Sequence, residues 1–165
     1  MTVCTTLDSP LGELLLIGEA DGDGVTLTSL SMPGQRNAPA VPPARCRAPR
    51  AFDEVTRQLE AYFAGELTAF DVPFTAEGTD FQRRVWAALD GIPYGTTVSY
   101  ATIAVQSGAP ATAVRAVAAA IGANPLLVVR PCHRVIRSNG ELSGYAAGPE
   151  RKRRLLDLET VHRSA

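Results

Sequence analysis

Alternation of apolar and polar positions in the first thirty residues predicts a small antiparallel sheet. Three short segments carry the pattern, Thr5–Leu7, Glu13–Ile17 and Val25–Ser31, and a period of two is typical of strands with one buried face. The sequences SPLG at 9–12 and DGDG at 21–24 separate them. Because Gly, Pro and Asp favour tight turns, each of these sequences indicates a reversal of the chain.

A proline-rich stretch follows the predicted sheet. Five of the twelve prolines fall between residues 32 and 50, and proline has no amide hydrogen to give to a helix or a sheet. We therefore expect 32–50 to be an extended loop in which Cys46 is exposed. Apolar side chains then recur at helical spacing up to Gly65 and predict an amphipathic helix packed on the sheet: Phe52, Val55, Leu59, Tyr62 and Phe63.

After residue 75 the pattern becomes helical. A helix that Thr79 or Asp80 can cap ends before Gly91, and its apolar positions are Phe81, Val85, Trp86 and Leu89. Two shorter helices, 99–107 and 111–122, are joined by a glycine-containing turn, which is typical of a helix-turn-helix motif.

The order of these elements predicts an α/β (α+β) fold in two domains. Residues 1–75 would form a small antiparallel sheet with a helix, including the proline-rich loop 32–50. Residues 76–165 would form a mainly helical domain that contains the helix-turn-helix and a last helix beginning near Pro149. With 165 residues and 45% hydrophobic content, the chain can bury one sizeable core or two small cores that share an interface.

Composition excludes several classes of protein. No apolar run approaches the roughly 18 residues of a membrane span, and the N-terminus lacks a basic region followed by an apolar one, so we expect a soluble cytoplasmic protein with no membrane partner. The three cysteines, Cys4, Cys46 and Cys132, are an odd number without a C-x-x-C pair, and there are two histidines. A disulfide framework or a structural zinc site is therefore not indicated, and we expect no metal and no cofactor.

The near-neutral net charge hides an asymmetry. Residues 1–75 carry 5 Lys and Arg against 10 Asp and Glu, a net −5, whereas residues 76–165 carry 11 against 7, a net +4, which together give −1. A basic second half is compatible with a polyanionic partner. The basic run at 151–154 belongs either to such a surface or to the solvated face of a helix.

The strongest chemical signal is Pro131-Cys132-His133-Arg134, which directly follows the apolar run 126–129. We expect that run to be a buried strand that the proline ends, so that Cys132 lies where scaffolds present reactive groups. A buried free cysteine is more often a small hydrophobic residue, and a reactive one needs help to form its thiolate.

His133 is the nearest base for Cys132, although neighbouring side chains in a strand point to opposite faces, so a bridging water or a sharp turn would have to connect them. A base also needs a third group that fixes its tautomer. The last helix offers Asp157 and Glu159, and spacing does not choose between them.

Seven segments, in this order, resemble the O6-alkylguanine-DNA alkyltransferases, also called methylated-DNA–protein-cysteine methyltransferases, and the resemblance covers almost the whole chain. They are Phe81-Gln82-Arg83-Arg84-Val85-Trp86, Ile92-Pro93-Tyr94-Gly95, Ser99-Tyr100, Arg115-Ala116-Val117, Asn124-Pro125, Pro131-Cys132-His133-Arg134-Val135 and Ser143-Gly144-Tyr145.

The resemblance implies DNA repair by direct damage reversal. Such a protein moves an alkyl group from O6 of guanine, and less efficiently from O4 of thymine, onto its own cysteine in a single turnover. The implied partner is double-stranded DNA that carries O6-alkylguanine, bound through its minor groove with the damaged base flipped out. The implied protein is a monomer in solution, and cooperative binding on DNA is left open.

The resemblance also assigns roles to residues. Cys132 would be the acceptor, His133 the base acting through a water, Glu159 rather than Asp157 the carboxylate that orients His133, and Asn124 the residue whose side chain holds the turns around the site. Tyr100 would assist base rotation and help protonate the leaving guanine. The implied pocket residues are Tyr100, Val135, Tyr145 and Ala146, and the implied DNA-binding residues are Arg115, which fills the gap in the base stack, Ala116 and Ala118.

Three features depart from the family pattern. The chain is one residue longer between Tyr100 and Arg115, in a turn that could absorb the difference. Arg130 occupies a usually aliphatic position, where it would face a phosphate or pair with an acid of the N-terminal domain. Ala146 replaces a small hydroxyl residue found in some relatives.

Two other functions fit parts of the sequence. A hydrolase using Cys132, His133 and Glu159 would want an oxyanion hole, for which no separate Gly-rich loop is found. A non-catalytic helix-turn-helix protein would bind DNA without needing Cys132. Lesion-binding alkyltransferase-like proteins lack the acceptor cysteine, and this chain keeps it.

Overall fold

The computed structural model describes residues 1–22, 24–142 and 144–162. Asp23 of the predicted second turn and Ser143 of the Ser143-Gly144-Tyr145 segment lie outside the described residues.

The first half contains the predicted antiparallel sheet, in the strand order β1-β2-β3. The strands are β1 (Thr2–Ser9), β2 (Gly12–Asp21) and β3 (Gly24–Ser31). They extend beyond the predicted segments because polar residues at their ends also pair through the backbone, as Asp8 does with Glu13. The buried face carries leucines with no exposed surface, Leu14, Leu16, Leu27 and Leu30, which supply the apolar area that stabilises the sheet.

The proline-rich segment is more structured than an extended loop. It contains the 3₁₀ helices Ala44–Cys46 and Pro49–Phe52, after which α1 (Asp53–Phe63) begins. The amide of Ala48 donates to the carbonyl of Cys4 at 2.9 Å, which holds the segment against β1. The expectation that Cys46 is exposed was therefore wrong, since its side chain is half-buried.

The second half is mainly helical, as predicted. Its elements are α2 (Asp80–Asp90), β4 (Val98–Ser99), α3 (Tyr100–Gln106), α4 (Val114–Gly122), β5 (Val135–Ile136) and α5 (Pro149–His162). Thr79 and Gln82 form a capping box at the start of α2, and the Ser99 side chain caps α3. The short parallel pair of β4 and β5 was not predicted. The α+β fold class is confirmed.

The turn between α3 and α4 is longer than predicted. α4 begins at Val114 rather than at residue 111, and the amide of Ala113 closes a turn onto the carbonyl of Pro110 at 2.9 Å. Proline disfavours the helical conformation in the residue before it and cannot donate to the helix. The use of this helix pair on DNA is taken up below.

The apolar run 126–129 is not a strand. Leu126 makes one isolated bridge to Leu30, and the chain then turns, with Val128 in the left-handed region at φ 67°. The amide of Val129 donates to the carbonyl of Leu127 at 2.7 Å, a local bond that no sheet ladder contains. Cys132 consequently begins the 3₁₀ helix Cys132–Arg134 instead of following a strand end.

Apolar side chains from both halves form one continuous core. The halves are also joined through the backbone, since the amide of Leu30 donates to the carbonyl of Pro125 at 2.9 Å. Within 1–22, 24–142 and 144–162, no helix combines the length and the apolar character that crossing a bilayer requires.

Candidate active site

Cys132 lies in the core, with 2% of its surface exposed. Its amide donates to the carbonyl of Arg130 at 2.8 Å, which fixes a tight turn immediately before the 3₁₀ helix. Burial raises the pKa of the Cys132 thiol to about 11, although the Asn124 side chain and the charge of Lys152 oppose the shift. The thiol is therefore protonated at neutral pH and needs a base to react.

The structure brings His133 and Glu159 together. The His133 ring is fully buried, and its Nε2 lies 2.7 Å from Oε2 of Glu159. Asp157, the other acid considered, is exposed on α5. The contact pairs the 3₁₀ helix with α5, so helix packing decides which of the two acids reaches the histidine.

The hydrogen bonds around this pair define the tautomer of His133. Burial would raise the pKa of Glu159, but hydrogen bonds from His133 and Arg134 hold it well below its usual range. An ionised carboxylate only accepts hydrogen bonds, so Nε2 of His133 carries the proton and donates it. Nδ1 is left unprotonated, and it is buried without a hydrogen-bond partner among the described residues. Burial also lowers the pKa of His133, which keeps the ring neutral and able to accept a proton at Nδ1.

Two further side chains hold Glu159, and sequence reasoning gave them no role in the site. Arg134 donates through Nε to Oε1 at 2.8 Å and through Nη2 to Oε2 at 2.9 Å, a two-pronged pairing that suits guanidinium and carboxylate. The hydroxyl of Tyr62, in α1, donates to Oε2 at 2.5 Å. Arg134 belongs to the PCHR segment that the sequence singled out, whereas Tyr62 was recognised only as an apolar position of a helix.

Asn124 organises the turn before Cys132. Its Oδ1 accepts the amide of Leu126 at 3.1 Å, and its Nδ2 donates to the carbonyl of the same residue at 3.2 Å. These two bonds replace the ladder that a strand would have supplied and account for the turn. The same side chain lowers the pKa of the Cys132 thiol, against the effect of burial.

Two tyrosines flank Cys132. Tyr100, the first residue of α3, is 8% exposed, and Tyr145 is 6% exposed. Burial is the main cause that raises the pKa of both hydroxyls, and a negative charge on Cys132 adds to it. Both hydroxyls are therefore protonated at neutral pH. The backbone of Gly144 passes so close to Tyr100 that a β-carbon on it would lie 2.9 Å from the tyrosine hydroxyl oxygen.

A buried lysine completes this side of the site and was missed in the sequence. Lys152 is 1% exposed, and its Nζ lies 5.9 Å from the centre of the Tyr100 ring. Its position within a run of four basic residues made it look like part of a charged surface. Burial lowers the pKa of Lys152 to about 8.

The other two implied pocket residues, Val135 and Ala146, have different surroundings. Val135 is fully buried and pairs with Val98 in the β4–β5 pair. Ala146 is half-buried, and its carbonyl accepts the amide of Arg36 at 2.9 Å. The proline-rich segment therefore touches the side of the site on which the resemblance places the substrate.

The expected DNA-binding residues lie on α4. Arg115 and Ala116 are exposed, and Ala118 is half-buried. A cleft of about 420 Å³ is lined by Val114, Arg115 and Ala118 of α4 together with Tyr100, Arg137, Ser138 and Gly144. The cleft brings the exposed side of α4 next to Tyr100, whereas Cys132 does not line it.

Arg130 and Arg151 bind partners that the sequence did not predict. Arg130 neither faces solvent nor pairs with an acid of the first 75 residues, since its Nε donates to Asp90 of α2 at 3.0 Å. Arg151 donates to the carbonyls of Leu11 at 3.0 Å and Pro33 at 2.7 Å. With Lys152 also buried, only Arg153 and Arg154 of the run 151–154 are exposed, and Arg151 binds the first half.

Comparison with known proteins extends over the whole chain. Residues 80–161 match the family model of the 6-O-methylguanine DNA methyltransferase DNA binding domain, and residues 2–76 match that of the 6-O-methylguanine DNA methyltransferase ribonuclease-like domain. A methylated-DNA–protein-cysteine methyltransferase of Mycolicibacterium paratuberculosis is 51% identical over 160 residues, which cover 97% of this chain and 93% of the relative.

Solved structures show the same similarity. The crystal structure of Mycobacterium tuberculosis O6-methylguanine methyltransferase superposes with a TM-score of 0.85 at 50% identity, covering 98% of this chain and 94% of that one. The crystal structure of Mycobacterium tuberculosis OGT in complex with DNA gives a TM-score of 0.84 at 50% identity, covering 95% and 92%. On these matches of sequence and fold, the chain belongs to the 6-O-methylguanine DNA methyltransferase family, whose curated relatives are named methylated-DNA–protein-cysteine methyltransferases.

Proposed function

We propose that this protein repairs alkylated double-stranded DNA by taking the alkyl group from O6 of guanine, and less efficiently from O4 of thymine, onto Cys132. The protein is consumed in one turnover, because the alkyl–sulfur bond of the product thioether is stable and the alkyl group stays on Cys132. The observation that carries the proposal is the pairing of His133 with Glu159 beside Cys132, at 2.7 Å and fully buried. This arrangement leaves Nδ1 of the histidine as the only free base position of its ring.

The transfer balances with the groups present. Nδ1 of His133 takes the thiol proton of Cys132, through one water molecule, and the resulting imidazolium is stabilised by the ionised Glu159. The thiolate attacks the alkyl carbon, the carbon–O6 bond breaks, and its electron pair stays on the guanine. Tyr100, protonated in the free protein, can give a proton to the leaving guanine. The burial that raises the thiol pKa also makes the thiolate poorly solvated and strongly nucleophilic once it forms.

The damaged base reaches the sulfur only after it leaves the duplex, at a cost of a few kcal/mol that is smallest for a badly paired base. α4 would lie in the minor groove, where the small Ala116 and Ala118 allow close approach and Arg115 fills the gap in the stack. The cleft between α4 and Tyr100 supports this orientation, because it leads from the exposed face of the helix toward the site. Tyr100, Val135, Tyr145 and Ala146 would then surround the flipped base.

The proposal includes the wider setting expected from the sequence. The protein would act in the cytoplasm as a monomer, with residues 1–75 supporting the site and residues 76–165 carrying both the chemistry and the DNA contacts. The hydrolase and the non-catalytic binder are not favoured, because the similar proteins that cover nearly the whole chain are named methyltransferases.

The test is a titration of repair against protein. A duplex with one O6-methylguanine is mixed with increasing protein, and the remaining lesion is quantified by nucleoside chromatography. The proposal predicts loss of one lesion per protein molecule with guanine as the product, and no repair by Cys132→Ser, which binds the same duplex because its DNA surface is intact. Lesion loss that exceeds the protein concentration would indicate a turnover enzyme, and binding without lesion loss would indicate a non-catalytic binder.

A further inference from the structure

Arg130 is a buried cation whose position has no explanation in the chemistry described so far. It is 6% exposed, and its Nε donates to Asp90 at 3.0 Å. Its guanidinium carbon lies 5.1 Å from the centre of the Phe74 ring and 5.2 Å from that of Trp86. Burying a charge is costly unless its partners are well placed, so these three residues fix the guanidinium in one orientation.

The guanidinium also reaches Asn124, whose side chain holds the turn before the nucleophile. Nη1 of Arg130 donates to Oδ1 of Asn124 at 3.3 Å, beside the bond from the Leu126 amide at 3.1 Å. A guanidinium and a backbone N–H can only donate, so both must face the oxygen of the Asn124 carboxamide. The Asn124 amide nitrogen is thereby turned toward the carbonyl of Leu126, at 3.2 Å. The Asn124 side chain also lowers the pKa of the Cys132 thiol.

We propose that Arg130 is a positioning residue for alkyl transfer: its guanidinium fixes the Asn124 carboxamide, which holds the turn before Cys132. The inference rests on the proposed function, which supplies the need for a thiolate. Its backbone acts on the same turn, because its carbonyl accepts the amide of Cys132 at 2.8 Å. Arg130 thus links the turn that carries Cys132 to α2 and to Phe74, which precedes α2.

Other charged and titratable groups face the sulfur and must be separated from the effect of Arg130. Lys152 of α5 favours the thiolate, as Arg130 does. Tyr100 of α3 and Tyr145 are affected by the charge on Cys132. His133 follows Cys132 in the chain, and the charges of Lys152 and Glu159 both affect its pKa. A test of Arg130 must therefore leave all of these unchanged.

Two substitutions break the same ion pair with opposite effects on charge. Arg130→Leu removes the cation and one of the donors to Asn124. Asp90→Asn keeps an oxygen that can accept from Nε but removes the anion, and its site is partly exposed, with 40% of the Asp90 side chain accessible. A merely structural ion pair would respond alike to both changes, whereas a positioning cation would not.

The measurement is the rate of Cys132 carboxamidomethylation by iodoacetamide between pH 6 and 10, read from the mass of the Cys132 peptide, together with the rate of alkyl transfer from O6-benzylguanine. For Arg130→Leu we expect the pH profile to move up by about 0.5 to 1 unit, so that both rates at pH 7 fall about 3- to 10-fold. For Asp90→Asn the profile stays in place or moves down. Both variants are checked for folding by thermal unfolding.

An upward shift of equal size in both variants, or no shift in Arg130→Leu, would overturn the inference. If Arg130→Leu does not fold, Asp90→Asn still decides, since an upward shift there contradicts a positioning cation and an unchanged or lower profile agrees with it. Iodoacetamide needs neither DNA nor alkylguanine. Failure of the wild-type protein to repair DNA would therefore count against the proposed function, whereas normal repair without the pH shift would count only against the role of Arg130.

Discussion

The hydroxyl of Tyr62 donates a 2.5 Å hydrogen bond to the carboxylate of Glu159, and the two residues come from opposite halves of the chain. The same oxygen, Oε2, accepts Nε2 of His133. A helix of the first half therefore supports the carboxylate that orients the base of the second half. The first half contributes to the active site in this way.

Removing the Tyr62 hydroxyl should lower the stability of the fold more than it lowers the rate of alkyl transfer. For Tyr62→Phe we expect the free energy of unfolding to fall by about 1–3 kcal/mol, because a hydrogen bond to a buried charge is lost. Arg134 and His133 still hold Glu159, so the transfer rate should fall only a few-fold. The measurement is urea unfolding beside O6-benzylguanine transfer. Tyr94→Phe is the control, because the Tyr94 hydroxyl oxygen is buried without a hydrogen-bond partner among the described residues; equal losses in the two variants would contradict the account.

Glu159 makes the stability of the fold depend on pH. Its pKa in the folded protein lies well below the ordinary value of 4.5, although burial opposes this, so between the two values the unfolded chain binds more protons. The stabilisation is complete above about pH 4.5 and is lost as the pH falls toward the folded-state pKa. Urea unfolding from pH 7 to pH 3 should show this loss, and Glu159→Gln should be less stable at pH 7 by about 3–5 kcal/mol with a flatter profile. An equally steep acid profile in Glu159→Gln would assign the loss to other carboxylates.

The close approach of Gly144 to Tyr100 should be needed for transfer. Gly144→Ala puts a β-carbon 2.9 Å from the Tyr100 hydroxyl oxygen and also strains a backbone at φ 79°. Gly140→Ala has the same kind of strain, at φ 86°, with open space around its β-carbon. Both should lose about 1 kcal/mol of stability from the left-handed backbone, but we expect only Gly144→Ala to slow O6-benzylguanine transfer, by about tenfold or more. Equal transfer rates would show that the Tyr100 position is not critical.

Arg115 should matter for duplex DNA and not for the free base. We expect Arg115→Ala to weaken productive binding to a duplex with O6-methylguanine much more than it slows reaction with free O6-benzylguanine, because only the duplex has a stack to fill. Single-turnover rates on both substrates measure this. Arg50→Ala removes an equal charge from an exposed site in the first half and serves as the control. Equal losses on the two substrates would argue against insertion of Arg115.

Local sequence patterns predicted most of the secondary structure. Alternation identified all three strands of the sheet, and Thr79 and Ser99 marked helix starts because their side chains satisfy free amides at those positions. The run 126–129 was misread as a strand because a short apolar run looks the same in a buried turn. What makes it a turn is the Asn124 side chain, which bonds both backbone groups of Leu126.

Long-range partners account for the rest. Arg130 pairs with Asp90, forty residues away, and Tyr62 reaches Glu159 from the other half of the chain. Lys152 is buried although its neighbours Arg153 and Arg154 are exposed. Charge and periodicity describe a residue and its neighbours on one helix or strand. They therefore predict neither these two long-range contacts nor the burial of Lys152.

The most direct test of the account is the mass of the intact protein, followed by peptide mapping, after reaction with a duplex that carries one O6-methylguanine. The account predicts the addition of a single methyl group, located on Cys132 and saturating at one per protein molecule while the DNA regains guanine. A methyl group on Cys4 or Cys46, or repaired DNA beside unmodified protein, would contradict it.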